Sequence, residues 1–286
     1  MSKKRTVLIV IGVIIALLLC CCAAGAVIAY PRLAVYSYLT GAEQVTDTIN
    51  SVGTRMEKIN TDTTNALDMS SASVDDVEKA RAELNDIGKE IDDATADLEQ
   101  AGKQLDALNP PAKARAYHRN VDDYLTWSKK QLAELAEIVD YMSAVMESTK
   151  ELVRVADTME ASSSDLDSII AALQTSKQQL DTAIDSIESE TPPDQMSDFH
   201  DAYLKAMKDM SGGISEAVIG LQTNDIARTE AAMTTMQGLE NFDETTYFAE
   251  FEEWTEISSQ QENRLVDKIN KELQRLDKYG RPWIGQ

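Results

Sequence analysis

Apolar residues recur at alternating spacings of three and four along most of this chain, and two proline pairs interrupt the pattern 82 residues apart. Before the first pair, Pro110-Pro111, the stripe reads Val77, Ala80, Leu84, Ile87, Ile91, Ala94, Leu98, Ala101, Leu105 and Leu108. After it come Val121, Leu125, Ser128, Leu132, Leu135, Val139, Met142 and Met146. A 3.5-residue period keeps one seam facing a partner helix and packs knobs into holes. The second pair, Pro192-Pro193, is flanked in the same way, by Leu166, Ile169, Leu173, Ser176, Leu180, Ala183 and Ile187 before it and Tyr203, Met207, Met210, Ile214, Ala217 and Leu221 after it. Proline lacks the amide donor and clashes with the preceding turn, so it ends one helix and is tolerated at the start of the next. Each pair therefore predicts a hairpin joint. At the common offset Leu84 and Leu166, Leu98 and Leu180, Pro110 and Pro192, and His118 and His200 coincide, which predicts two equivalent hairpins, 74–157 and 159–222.

Glycine and aromatic residues are sparse, and no alternating strand pattern of useful length occurs. The expectation is an all-α protein with helices near 42–69, 74–108, 112–157, 165–189, 195–222, 225–238 and 245–278. Ser70-Ser71-Ala72-Ser73, Ser162-Ser163-Ser164, Asn224-Asp225 and the stretch 241–244 supply the breaks and caps. The hairpins form an elongated antiparallel bundle over 42–240, with coiled-coil-like packing, and a C-terminal helix and tail occupy 241–286.

Residues 7–30 carry no charged side chain. As a helix, 24 residues reach about 36 Å, enough to cross a hydrocarbon core of about 30 Å. This predicts a single transmembrane anchor after a cytoplasmic stub, 1–6, and before a membrane-exit linker, 31–41. Lys3, Lys4 and Arg5 precede the stretch and only Arg32 follows it closely, so the N-terminus is expected in the cytoplasm and the bulk of the chain outside. Two competing fates are secretion after cleavage at Ala24-Gly25-Ala26 and lipoprotein processing at Cys20. Against the second, Leu19 stands where a small residue is usual; against both, the apolar run continues to residue 30, and Tyr30, Tyr36 and Tyr38 read as an interfacial aromatic belt.

All three cysteines, Cys20, Cys21 and Cys22, fall in the apolar stretch, where they read as small apolar filler, and disulfides are unavailable to the rest. The chain has 27 basic and 49 acidic residues; residues 1–40 hold four of the basic and none of the acidic, leaving a formal −26 over 41–286. Phosphate backbones repel such a surface, which argues against nucleic-acid binding.

Few residues are candidates for chemistry. His118 and His200, the chain's two histidines, each follow the second proline of their pair by seven residues and stand three positions before a seam residue. Both are expected to point partly inward near the same end of the bundle. A metal site there would use His118 and His200 with Asp122, Asp123, Asp198 or Asp201; the other reading is a pair of hydrogen-bonded joint histidines, repeated because the joint repeats. The Glu-x-x-His pattern of di-iron bundles is missing, as are calcium loops, phosphate loops and nucleophile elbows, so no enzyme activity and no cofactor are expected. Arg264, Lys268, Lys271, Arg275 and Lys278 recur at four-three-four-three spacing and give 264–281, with Arg281, a formal +3. They read either as cations paired with acidic neighbours or as a stripe for membrane or partner contact, helped by Tyr279 and Trp283. Phe242, Tyr247, Phe248, Phe251 and Trp254 form the one aromatic cluster, expected as core.

In form, though not in any signalling motif, the arrangement resembles spectrin-like repeats and the helical input domains of bacterial chemoreceptors. The expected function is that of a membrane-anchored, extracytoplasmic, non-enzymatic scaffold or interaction module, with a protein partner or self-association through helices. The alternative is a ligand- or metal-binding, sensor-like domain using the bundle end near His118 and His200.

Overall fold

The computed structural model describes residues 3–67, 73–160, 165–236 and 249–280, with the backbone alone over 3–30. These residues are helical almost throughout, and no strand occurs among them. The α-helices are α1 (Lys3–Leu67), α2 (Val74–Ala107), α3 (Arg115–Glu160), α4 (Leu166–Glu188), α5 (Ser197–Thr223), α6 (Ile226–Met236) and α7 (Ala249–Gly280), with a 3-10 turn at Asp194–Met196 before α5.

The period-3.5 seam becomes the core. Val77 through Leu105 of the first stripe are all buried, as are Val121 through Met146 of the second. Leu166 departs from the pattern: it opens α4 half exposed, at 50%, one residue inside the helix start where no turn precedes it to complete a seam.

Residues 31–41, expected as a linker, are helical, and Pro31 lies inside α1 without ending it. A proline in a helix interior costs about 3 kcal/mol, which burial of a few large side chains exceeds. Here Val35, Tyr38, Ala42, Val45 and Ile49 are all buried at three-four spacing, so packing outweighs the local penalty. Tyr38 is likewise not part of an exposed aromatic belt: it is buried, whereas Tyr36 is about half exposed. The expected anchor, 7–30, falls in α1 where the side chains lie outside the described residues; among the described residues no helix is long and apolar enough to cross a membrane.

Local signals explain the ends. Ser73 and Asp76 cap α2 reciprocally: the Ser73 amide donates to the Asp76 carboxylate (3.0 Å) and the Asp76 amide to Ser73 Oγ (3.3 Å). Asp165 caps α4 by accepting from the Ser168 amide at 3.2 Å; Ser162, Ser163 and Ser164 lie outside the described residues. Asn224 closes α5 in the left-handed region (φ 56°), and Asp225 accepts from the Arg228 amide at 3.1 Å to start α6. The two proline joints share a backbone hydrogen bond at the 82-residue offset. Ala114 N donates to Pro111 O at 2.7 Å, and Met196 N to Pro193 O at 2.9 Å; Ala114 and Met196 are both buried.

The chain forms two compact units. The first comprises Met1–Ser51, Asp97–Ser128 and Gln261–Gln286, and the second Val52–Ala96 and Lys129–Gln260. The first therefore takes stretches of α1, α2, α3 and α7, with a core built from Val35, Val45, Leu98, Leu105, Val121, Leu125, Leu265 and Leu276. Within it Gly41 lets α1 approach the joint, since a Cβ there would meet Leu108 Cδ2 at 2.9 Å.

In the second unit α3 serves both hairpins. It meets α2 through the Lys150–Glu78 and Arg81–Glu147 ion pairs, and α5 through hydrogen bonds from Tyr141, Ser148 and Thr149. Two sets of partners explain why its buried positions are so dense: Leu135, Ile138, Val139, Tyr141, Met142, Val145 and Met146. Here α5 packs against α4 and α6. At the α5–α6 contact a Cβ on Gly220 would lie 2.4 Å from Thr229 Oγ1, 3.0 Å from Thr229 N and 3.1 Å from Asp225 O. Alanine is ordinarily favoured over glycine in a helix by about 1 kcal/mol, but overpacking against backbone costs about 1–3 kcal/mol. Gly220→Ala is therefore expected to destabilise the protein by about 1–2 kcal/mol in urea unfolding, with Thr229→Ala recovering part of the loss. A stabilised Gly220→Ala protein would mean the helices are not held this close.

Candidate functional site

The two histidines that the sequence singles out occupy two nearly identical settings. At the first joint, the opening turn of α3 carries Tyr117, buried, and His118, half-buried. Facing them on α1, Tyr38 and Thr46 stand two turns apart on one buried face, with Ala42 between. Tyr38 Oη lies 3.0 Å from His118 Nδ1, with the rings 6.1 Å apart and inclined at 49°. Thr46 Oγ1 donates to the Ala42 carbonyl at 3.1 Å, so in its 3.0 Å contact with Tyr117 the phenol is the donor.

At the second joint, α5 carries His200, which is buried, and Tyr203. Tyr141 of α3 lies 3.1 Å from His200 Nδ1, with rings 6.0 Å apart at 48°. Thr149 donates to the Val145 carbonyl at 2.9 Å and meets the Tyr203 hydroxyl at 2.9 Å. Each tyrosine thus precedes its threonine by eight residues, Tyr38 to Thr46 and Tyr141 to Thr149, with the same back-bond to the residue midway.

Burial is the main cause that pushes the Tyr38 and Tyr141 hydroxyls well above the ordinary phenol range; neighbouring phenols, Tyr117 and Tyr203 respectively, add to it. The phenols stay neutral. The arrangement works as a latch, a polar pin that fixes the first turn after each joint against the helix two before it, α3 against α1 and α5 against α3.

The carboxylates that a metal site would draw on point elsewhere: Asp122, Asp123, Asp198 and Asp201 are all exposed. His118 belongs to the first compact unit and His200 to the second, each with its own tyrosine. Among the described residues no group of three or more His, Cys, Asp or Glu is placed to hold a metal ion.

Beside the first latch, in the first unit, runs a half-open groove of about 290 Å³, lined by residues that include Thr40, Glu43, Thr46, Asp47, Tyr117 and Asp277. The latch residues Thr46 and Tyr117 form part of its wall.

On α7 all five basic residues of the stripe are exposed. Arg275 pairs with Glu272 at 2.6 Å and donates to the Lys113 carbonyl at 2.8 Å. Arg264, Lys268, Lys271 and Lys278 make no ion pair among the described residues, so local pairing does not account for the stripe. Trp283, Phe242, Tyr247 and Phe248 lie outside the described residues, while Phe251 is buried and stacks on Trp254 (5.8 Å, 23°), which donates to Glu134 at 3.0 Å.

Sequence reasoning located both histidines but missed their tyrosines. The available signal was the repeated Tyr-x7-Thr spacing on α1 and α3, offset by 103 residues and hidden because the hairpin offset is 82.

The chain matches the family model described as "Uncharacterised protein MG280" over residues 2–244, and it belongs to that family. No curated protein and no solved structure matches it.

Proposed function

We propose that this family member is a membrane-anchored scaffold: a helical bundle held outside the membrane by residues 7–30, acting through a protein partner or through self-association and carrying out no catalysis of its own. The observation that carries the reading is the paired latch. Each histidine, the residue type best suited to acid–base or metal chemistry near neutral pH, has Nδ1 against a buried tyrosine and serves to pin a joint. Such an investment in rigid joints suits a protein whose product is a shape.

Anchoring is supported by the uncharged run 7–30 and by the helical backbone of α1 from Lys3 to Leu67, which joins that run to the bundle without a break. The Lys3-Lys4-Arg5 cluster favours a cytoplasmic N-terminus. The chain is expected to stay with membranes through alkaline carbonate extraction, and protease added to intact cells is expected to digest the region 41–286. A protected 41–286 region would overturn the topology; release by carbonate would overturn the anchor. Crosslinking in intact cells is expected to trap a protein neighbour or a second copy of the chain, and recovery of the uncrosslinked monomer alone would count against the scaffold reading.

A further inference from the structure

The two compact units differ sharply in charge. Apart from Lys3, Lys4 and Arg5, which the anchored reading sets on the other side of the membrane, the first holds 11 Lys and Arg against 11 Asp and Glu, a formal 0; the second holds 13 against 38, a formal −25. The chain's acidity therefore belongs entirely to the second unit, although both are cut from the same long helices.

Two cations of the first unit meet near the point where α1 emerges from the uncharged run. Arg32 of α1 places its guanidinium 5.7 Å from the Tyr279 ring centre, and Lys113 of the proline joint places Nζ 5.8 Å from the same ring. Arg275 ties α7 to the joint through the Lys113 carbonyl. Two separate parts of the chain thus bring cations to one tyrosine of α7, and α7 is itself tied to the joint. Lys278, Lys271, Lys268 and Arg264 continue the charge along the exposed face of α7 without ion-pair partners among the described residues. Leu33 and Tyr36, next to Arg32 on α1, are 68% and 51% exposed. Cations together with exposed aromatic and aliphatic groups at the foot of an apolar helix match the chemistry of a headgroup layer.

We propose that this end of the first unit is a docking surface for anionic phospholipid headgroups, with Arg32, Lys113 and Lys278 around Tyr279 as its centre and Lys271 and Lys268 as its extension. The inference rests on the anchored reading, which supplies the membrane that these cations face. It adds that the bundle grips the surface through α7 as well as through α1. The second unit, at −25, is repelled by the same lipids, so attraction resides in the first unit alone.

The test uses the full chain reconstituted into vesicles of phosphatidylcholine, with and without phosphatidylglycerol, and follows hydrogen exchange of peptides from 264–280. Exchange there is expected to slow by at least about threefold when phosphatidylglycerol is present, and the effect is expected to vanish at high salt. Lys268→Gln, Lys271→Gln and Lys278→Gln combined should abolish it with unchanged helicity, since all three side chains are exposed. Protection independent of lipid charge, or unaltered in the triple variant, would overturn the proposal; equal protection from a soluble polyanion without anionic lipid would overturn its assignment to lipid. Carbonate extraction of the same vesicles reports on the anchor separately. If the chain is released, the anchor fails, and the docking proposal then stands or falls on whether the released chain floats with phosphatidylglycerol vesicles and not with phosphatidylcholine ones.

Discussion

His200→Ala is expected to lower the free energy of unfolding by roughly 2–4 kcal/mol, and His118→Ala by only about 1–2 kcal/mol. Both changes delete the same hydrogen bond to a tyrosine hydroxyl, at 3.1 Å and 3.0 Å. The difference lies in what fills the space. His200 is 8% exposed, so its removal leaves a cavity and strands the Tyr141 hydroxyl away from water. His118 is half-buried, and water can replace the imidazole beside Tyr38. Denaturant midpoints at constant slope would measure both. A double-mutant cycle adds a sharper test, because Tyr141→Phe removes the stranded group. The double variant should then be less destabilised than the sum of the two single changes. Equal losses at the two histidines, or an additive cycle, would mean that the latches do not work through buried hydrogen bonds.

Alkaline pH should unfold the protein in a range where carboxylate titration is quiet, and phenolate absorbance separates the tyrosine contribution from that of lysine. Tyr38, Tyr117, Tyr124 and Tyr141 are all buried, and burial is the first cause raising each above the ordinary value of 10.0; a nearby Glu262 adds to the effect at Tyr124. The folded chain therefore keeps protons that the unfolded chain releases. Their contribution to stability is complete below the unfolded value and is lost as pH rises through and beyond it. Each tyrosine still neutral in the folded state costs at most about 1.4 kcal/mol per pH unit in that range. Thermal midpoints are expected to be flat from about pH 8 to 9.5 and to fall steeply above about 10, with phenolate absorbance rising together with unfolding and not before it. Phenolate formation in the intact helical state would show that these hydroxyls are not held in the core.

Much of the architecture was legible in local pattern. The seam from Val77 to Leu105 is buried residue by residue, and both proline pairs are joints, because amphipathic periodicity and a missing amide act within a few residues. Errors arose where distant packing overrode a local cue. Residues 31–41 read as a membrane-exit linker, yet burial of Val35, Tyr38 and Ala42 carries α1 straight through. Tyr38, placed among interfacial tyrosines by its position after the apolar run, bonds a histidine 80 residues away. The basic stripe on α7 was visible as spacing; that four of its five cations lack ion-pair partners among the described residues was not, because pairing depends on which helix lies alongside.

By itself the sequence determined that this chain is helical, where its hairpins turn, and that its N-terminal run is uncharged, since each of these follows from interactions over one or two turns. Tertiary structure alone decided that α3 serves two hairpins, that each histidine meets a tyrosine, and that the net acidity falls in one of the two units, at −25. Those units are assembled from segments far apart along the chain. Coulomb and packing energies depend on distance in space, which periodicity in one dimension does not encode.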